Sequence, residues 1–181
     1  RANINHVLGR LRTAQGRPDE AIALLKPTWL SCLEREIVQM YPIFAARMGE
    51  AYLAMGNLEA ALEILSAPEK LDVPLAEHAF GWRYLFVAQG HALLRAGRIP
   101  EARSVAERAL TLALERGEPP QQAYALKLIG DIAASQGADG EAAEAYRRCA
   151  ALAEPCGMRP LLGACREAEA RLAPVATARV N

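Results

Sequence analysis

Four pairs of glycines with the same internal spacing constrain this chain more than any other feature. Gly9 and Gly16, Gly49 and Gly56, Gly90 and Gly97, and Gly130 and Gly137 each stand seven residues apart. The second member of each pair recurs after 40, 41 and 40 residues. A fixed period of this size marks a stack of repeated supersecondary units that bury their apolar faces on one another.

The residues after each second glycine say what the unit is. The phrases Gly16-Arg-Pro-Asp-Glu-Ala21, Gly56-Asn-Leu-Glu-Ala-Ala61, Gly97-Arg-Ile-Pro-Glu-Ala102 and Gly137-Ala-Asp-Gly-Glu-Ala142 read as one helix ending and another beginning. Glycine just past a helix accepts the left-handed backbone that closes it. Pro18 and Pro100 suit a first turn, where a missing N–H is no loss. Glu20, Glu59, Glu101 and Glu141 fall near the positive end of the second helix's dipole. The alanines that close each phrase suit a helix crossing. The first glycines, two turns before the bend, cost about 1 kcal/mol each against alanine in a helix interior. Their recurrence therefore predicts close helix contact.

This pattern resembles the tetratricopeptide repeat over roughly residues 2–172. The resemblance is carried by Gly49-x-x-Tyr52, Gly56 and Ala61-x-x-x-Leu65, and by Gly130, Gly137 and Ala142-x-x-x-Tyr146. The sequence departs from the family in its period of about 40 rather than 34 residues. The family's early tryptophan is replaced by Asn5, Ala45, Phe86 and Leu126, and its late proline is irregular. The longer period, the alanine-rich helices and the segments Tyr146–Glu154 and Gly157–Leu162 look like the repeat tracts that follow ATPase modules in large bacterial regulators. These include cyclase-linked, LuxR-type and maltose-regulator-type proteins. The resemblance implies a cytoplasmic, non-catalytic scaffold or sensor segment of a signalling or transcription regulator.

The expected fold is all-α, a right-handed α-solenoid of about four helix-turn-helix repeats, at 2–38, 39–73, 74–117 and 119–157, with a capping helix at 158–172. Residues 1–173 form one domain and 174–181 a disordered tail. Nine helices are expected, at about 2–15, 18–34, 40–55, 58–66, 74–96, 99–116, 120–136, 139–154 and 159–172. Pro27 should kink or break the second helix near Lys26, and Pro68 should end the fourth, leaving a loop over 66–74. The last helix carries Arg159, Arg166, Glu167, Glu169 and Arg171, an outer polar face of the kind a solenoid end needs. The chain opens inside a helix-like segment with no methionine, which is expected of a piece of a longer protein.

Composition narrows the function. Hydrophobic residues make up 52% and aromatics 6%, so the core must be built from Ala and Leu. Lys+Arg and Asp+Glu are 21 each, which predicts no general attraction to nucleic acid or anionic membrane. No apolar run reaches membrane-spanning length. Walker-type, Gly-x-Ser-x-Gly and His-Glu-x-x-His motifs are absent, and His6, His78 and His91 share no metal-ligand spacing. No enzymatic activity, metal or other cofactor is expected. Cys32, Cys149 and Cys165 fall on presumed helices as small buried hydrophobes, with Cys156 exposed in the Pro155-Cys-Gly157 turn.

The candidate site is the concave groove lined by the first helices, binding a protein or peptide. Positions one after, three before and six before each first glycine should face it. They are Asn3, His6 and Arg10; Ile43, Ala46 and Glu50; Tyr84, Val87 and His91, with Arg95 a turn on; and Tyr124, Lys127 and Asp131. Aromatic and arginine anchors among them suit a binding hot spot. The mixture at the position after each glycine, Arg10, Glu50, His91 and Asp131, argues against a uniform clamp for a peptide's terminal carboxylate. The rival reading is a small-ligand sensor with a closed apolar pocket near Tyr84, Val87 and Tyr124. A homodimer through the exposed face of either end helix is a further expectation, and His91 with Asp131 is the one pair an enzyme could use. Trp29 and Trp82 are expected to pack, Trp82 with Phe80 filling the gap beside the 66–74 loop.

Overall fold

The computed structural model describes residues 2–70 and 79–172. All regular structure among them is helical: α1 (Ala2–Ala14), α2 (Pro18–Glu34), a 3-10 turn (Val38–Met40), α3 (Tyr41–Ala54), α4 (Leu58–Lys70), α5 (Ala79–Arg95), α6 (Ile99–Glu115), α7 (Pro119–Ser135), α8 (Asp139–Ala153) and α9 (Arg159–Leu172). Consecutive helices pack as antiparallel-type pairs. The first helix of each pair also lies on the first helix of the next, α1 on α3, α3 on α5 and α5 on α7, while α9 closes the stack on α8 and α7. This is an α-solenoid of helix pairs with a C-terminal helix.

One backbone device ends seven of these helices. The amides of Arg17, Ile37, Asn57, Arg98, Glu118, Ala138 and Met158 each donate to the carbonyl five residues back, at 2.9 to 3.0 Å. This Schellman closure needs a left-handed residue just before the donor. The second repeat glycines supply it, with φ of 73°, 76°, 71° and 71°, as do Gly117 and Gly157. At the end of α2 the same place is held by Glu36, with φ 54°, the one non-glycine residue at positive φ among the described residues. Asn57 adds a side-chain cap, its Oδ1 accepting from the Ala60 amide at 3.1 Å.

The first glycines are where helices touch, as expected. A Cβ on Gly9, Gly49 or Gly130 would stand 2.7, 2.5 or 2.4 Å from Leu25, Leu65 or Tyr146, each on the second helix of the same pair. Gly90 breaks the pattern. The residue equivalent to Leu25, Leu65 and Tyr146 in its pair is Ala106, too small to reach it, and Leu128 from α7 fills the place, 2.3 Å from where a Cβ would be.

Proline does not break either helix. α2 runs on past Pro27, so the expected break near Lys26 is corrected. α4 runs through Pro68, which is fully buried, to Lys70. A helix-interior proline forfeits one hydrogen bond, and at Pro68 the packing of the buried ring offsets that loss, whereas Pro27 is exposed. The expected loop over 66–74 is therefore helical as far as Lys70. Its remainder, the start expected for α5 at Pro74, His78 and the tail at 174–181 lie outside the described residues. Both tryptophans are buried: Trp29 meets Tyr41 edge-on at 5.3 Å between centroids, and Trp82 lies 5.4 Å from Phe86. The Phe80 side chain lies outside the described residues.

Candidate functional site

Side chains from the first helices of four pairs, α1, α3, α5 and α7, converge on one cavity. Arg10, Glu50, Tyr84, Val87 and Tyr124, all expected from the sequence, surround a cavity of about 50 Å³ together with Arg47, Arg83 and Gln121. The guanidinium of Arg10 donates from Nη2 to the Tyr124 hydroxyl at 3.0 Å, joining residues 114 apart in sequence. α1 and α7 make no other helix contact among the described residues, so this side-chain bond bridges two helices that do not pack on each other.

The cavity wall is arginine-rich. Arg47 is buried, and its Nη1 donates to both carboxylate oxygens of Glu50 at 2.9 Å. Its Nε is buried without a hydrogen-bond partner. Arg83 is also buried and lies 3.0 Å from the Glu118 carboxylate. Both guanidiniums approach the Tyr84 ring, that of Arg47 at 4.8 Å from its centroid and that of Arg83 at 5.1 Å. Such contacts are favourable because a cation meets the negative face of the ring. Gln121 donates to the Tyr84 hydroxyl at 3.2 Å.

A second group lies one turn further along the same helices. Glu50, His91 and Arg95 line a shallow depression with Leu53, Ala54 and Ala88, and Arg95 donates to the Leu53 carbonyl at 2.7 Å. Lys127 donates to both oxygens of Asp131, at 2.6 and 2.8 Å, and the Tyr146 hydroxyl donates to Asp131 at 2.9 Å. Burial holds His91 below the usual imidazole range, and the cations Lys127 and Arg95 push the same way, against Asp131 and Glu50. His91 feels Asp131 electrostatically without a hydrogen bond to it, and that carboxylate is already committed to Lys127 and Tyr146. Burial and Arg47 likewise hold His6 below its usual range, and its Nδ1 is buried without a partner.

Two expected groove residues are corrected. Ile43 and Ala46 are fully buried core residues, because α3 is enclosed by α1, α2, α4 and α5. Asn3 lies on α1, with its side chain outside the described residues. Arg47, Arg83 and Gln121 were missed. The signal for Arg47 was its position three before Glu50, the spacing of an ion pair on one helix.

The expected closed apolar pocket at Tyr84, Val87 and Tyr124 is a small cavity whose lining also includes arginine, glutamate and glutamine side chains. Wider depressions lie on the outer side. One of about 430 Å³, mostly apolar, is lined by Trp29, Leu30, Leu33, Met48, Tyr52 and Ile64 among others. An open one of about 520 Å³ between α4 and α6 is ringed by charged residues, including Glu69, Lys70, Arg98, Glu101 and Arg108.

Elsewhere the cysteines behave as expected, with Cys32, Cys149 and Cys165 buried and Cys156 exposed, all free. The thiols of Cys149 on α8 and Cys165 on α9 lie 3.0 Å apart, a proximity that no spacing in the chain foretells. Among the described residues no group of His, Cys, Asp or Glu could hold a metal ion, and no helix is long and apolar enough to cross a membrane.

Comparison with known proteins agrees with this architecture. Residues 87–154 match the tetratricopeptide-repeat family. The fold is similar to that of BtubC (BKLC) from P. vanneervenii, with a TM-score of 0.64 and 14% identity, covering 93% of this chain and 78% of that one. It is also similar to the nearly identical TPR-like repeats of a kinesin light chain candidate from Podosopora anserina, with a TM-score of 0.53 and 16% identity over 94% and 93% of the two chains. No curated protein sequence matches. Repeats of this kind generally bind other proteins. The chain is thus an α-solenoid of TPR-like helix pairs, with residues 87–154 carrying the sequence match to the tetratricopeptide repeat.

Proposed function

We propose that this chain is a protein-interaction module whose partner, a peptide or helix, lies across the mouth of the inner groove and inserts one acidic or amide side chain between Arg10, Arg47, Tyr84 and Tyr124. One observation carries the reading: a cavity walled by three arginines, one with a buried unpartnered Nε–H, lies beside the Arg10–Tyr124 bond. A buried donor without an acceptor costs roughly 1–3 kcal/mol, so an incoming acceptor is favoured. The volume sets the limit. About 50 Å³ admits a few waters or one short side chain, far below the roughly 300–1,000 Å³ of small-molecule pockets. A small-ligand sensor is therefore the weaker reading, and a whole helix does not enter without parting α1 from α7.

In the wider context, the resemblance to repeat tracts of bacterial regulators supports a scaffold or sensor segment in the cytoplasm, coupled to output elements elsewhere in the polypeptide. The zero formal charge supports protein rather than nucleic acid or membrane as the partner. The outer apolar groove at Trp29, Leu30 and Ile64 favours a second reading, in which an amphipathic helix docks on α2 and α4.

Site-resolved photo-crosslinking in the source cells tests both. A photoreactive residue at position 10 or 124 is expected to capture one protein, and one at the exposed Glu115 none. Capture only from position 30 would replace the first reading with the second, and equal capture from position 115 would refute both.

A further inference from the structure

The two ends of the stack are unlike. α9 turns Arg159, Arg166, Glu167 and Arg171 to solvent. α1 instead exposes an apolar stripe at helical spacing: Ile4 at 62%, Val7 at 55%, Leu8 at 38% and Leu11 at 48%. The repeat itself says what such a stripe is for. The positions equivalent to Ile4 in the later repeats are Phe44, Leu85 and Ala125, each 0% exposed. Those equivalent to Val7 are Arg47, Ala88 and Leu128, and those equivalent to Leu8 are Met48, Gln89 and Ile129, none above 8%. Those equivalent to Leu11 are Ala51, Ala92 and Ile132, again 0%. α3, α5 and α7 each lie against the pair before them, α1 with α2, α3 with α4 and α5 with α6, whereas α1 has no pair before it.

We infer that the α1 stripe seats one further helix-turn-helix repeat, supplied by the same polypeptide ahead of Arg1 and stacked on α1 as α1 and α2 are stacked on α3. The stripe continues an interface that this chain already builds three times. A second copy of this chain fits less well. Head-to-tail stacking would press the charged face of α9 onto the stripe. Face-to-face pairing would bring together two α1 helices that carry Arg10 and Arg12 and no carboxylate. An uncapped apolar end is also a liability, because terminal repeats need polar outer faces to stay in solution.

The test compares hydrogen exchange in the polypeptide as encoded in the source gene with that in the 181-residue chain. Amides of residues 4–11 are expected to exchange at least tenfold more slowly in the encoded polypeptide, with α5 and α7 unchanged. Val7→Asp should then lower the Tm of the encoded polypeptide by several degrees and leave that of the 181-residue chain within a degree. Equal exchange in the two proteins, the absence of a helix-pair pattern in the forty codons before Arg1, or a 181-residue dimer broken by Val7→Asp would each overturn the inference. These results do not depend on what the inner groove binds.

Discussion

Replacing Gly130 by alanine should destabilise the protein although alanine is the better helix former. An ideal Cβ at residue 130 would stand 2.4 Å from Cε1 and 2.7 Å from Cδ1 of Tyr146. Ordinary carbon contact lies near 3.5–4.0 Å, so the ring must move by about 1 Å. It is poorly placed to do so. Its hydroxyl is tied to Asp131 at 2.9 Å, Asp131 is tied to Lys127, and Lys127 Nζ lies 5.3 Å from the ring centroid. Overpacking of this kind costs about 1–3 kcal/mol, and weakening a hydrogen bond to a carboxylate adds roughly 1 kcal/mol. Helix propensity offsets about 1 kcal/mol, leaving a net loss of about 2 kcal/mol. Gly163, inside α9, is the control, because an added Cβ there meets nothing within 4 Å. Gly163→Ala should therefore gain about 1 kcal/mol. Urea unfolding followed by far-UV circular dichroism reads both as shifts in midpoint at constant slope. In a Tyr146→Ala background the Gly130→Ala loss should become a gain. Equal stabilisation by Gly130→Ala and Gly163→Ala, or a loss that persists without the Tyr146 ring, would refute the reasoning.

Three further outcomes follow from the geometry. Glu36→Gly should stabilise by about 1 kcal/mol, because residue 36 holds a left-handed backbone at the end of α2; a lower urea midpoint would contradict this. Tyr146→Phe removes the bond to Asp131 while keeping the ring, and should cost about 1 kcal/mol with no change in far-UV signal. Stability should also fall on the acid side through His91. Its folded pKa lies below the ordinary 6.5, so the unfolded chain takes up the proton first; the contribution is fully present above 6.5 and is lost as pH falls toward the folded value. The Tm drop between pH 7.5 and pH 5.5 should shrink in His91→Gln, and an unchanged drop would rule His91 out as its source.

Much of the fold was legible in the sequence because the same local rule was written several times. Positive φ at Gly56 and its equivalents requires glycine-like freedom, and the tight approach at Gly49 requires the absence of a side chain, so both leave a compositional trace. Pro68 misled because a local breaker rule cannot see that the ring is buried against neighbouring helices. Ile43 and Ala46 misled for a related reason. Register places them at the same angles as Tyr84 and Val87, but α3 is buried on every side from Tyr41 to Gly49 and opens only from Glu50 on. The Arg10–Tyr124 bond was out of reach because it depends on how far three successive helix pairs rotate, a sum of small angles that no single repeat encodes.

The exchange at Gly90 bears on how the molecule comes apart. In three pairs the slot over the first glycine is filled from within, so each pair completes its own packing. In the third pair Ala106 leaves the slot empty and Leu128 of the next pair closes it. In nearest-neighbour terms, stability has been moved out of a unit and into the junction that follows it. Pairs three and four should then melt as one block, even where the junctions on either side have begun to fray. A chain cut after α6 would lose more than its last three helices, because α5 and α6 would be left around a Leu-sized hole.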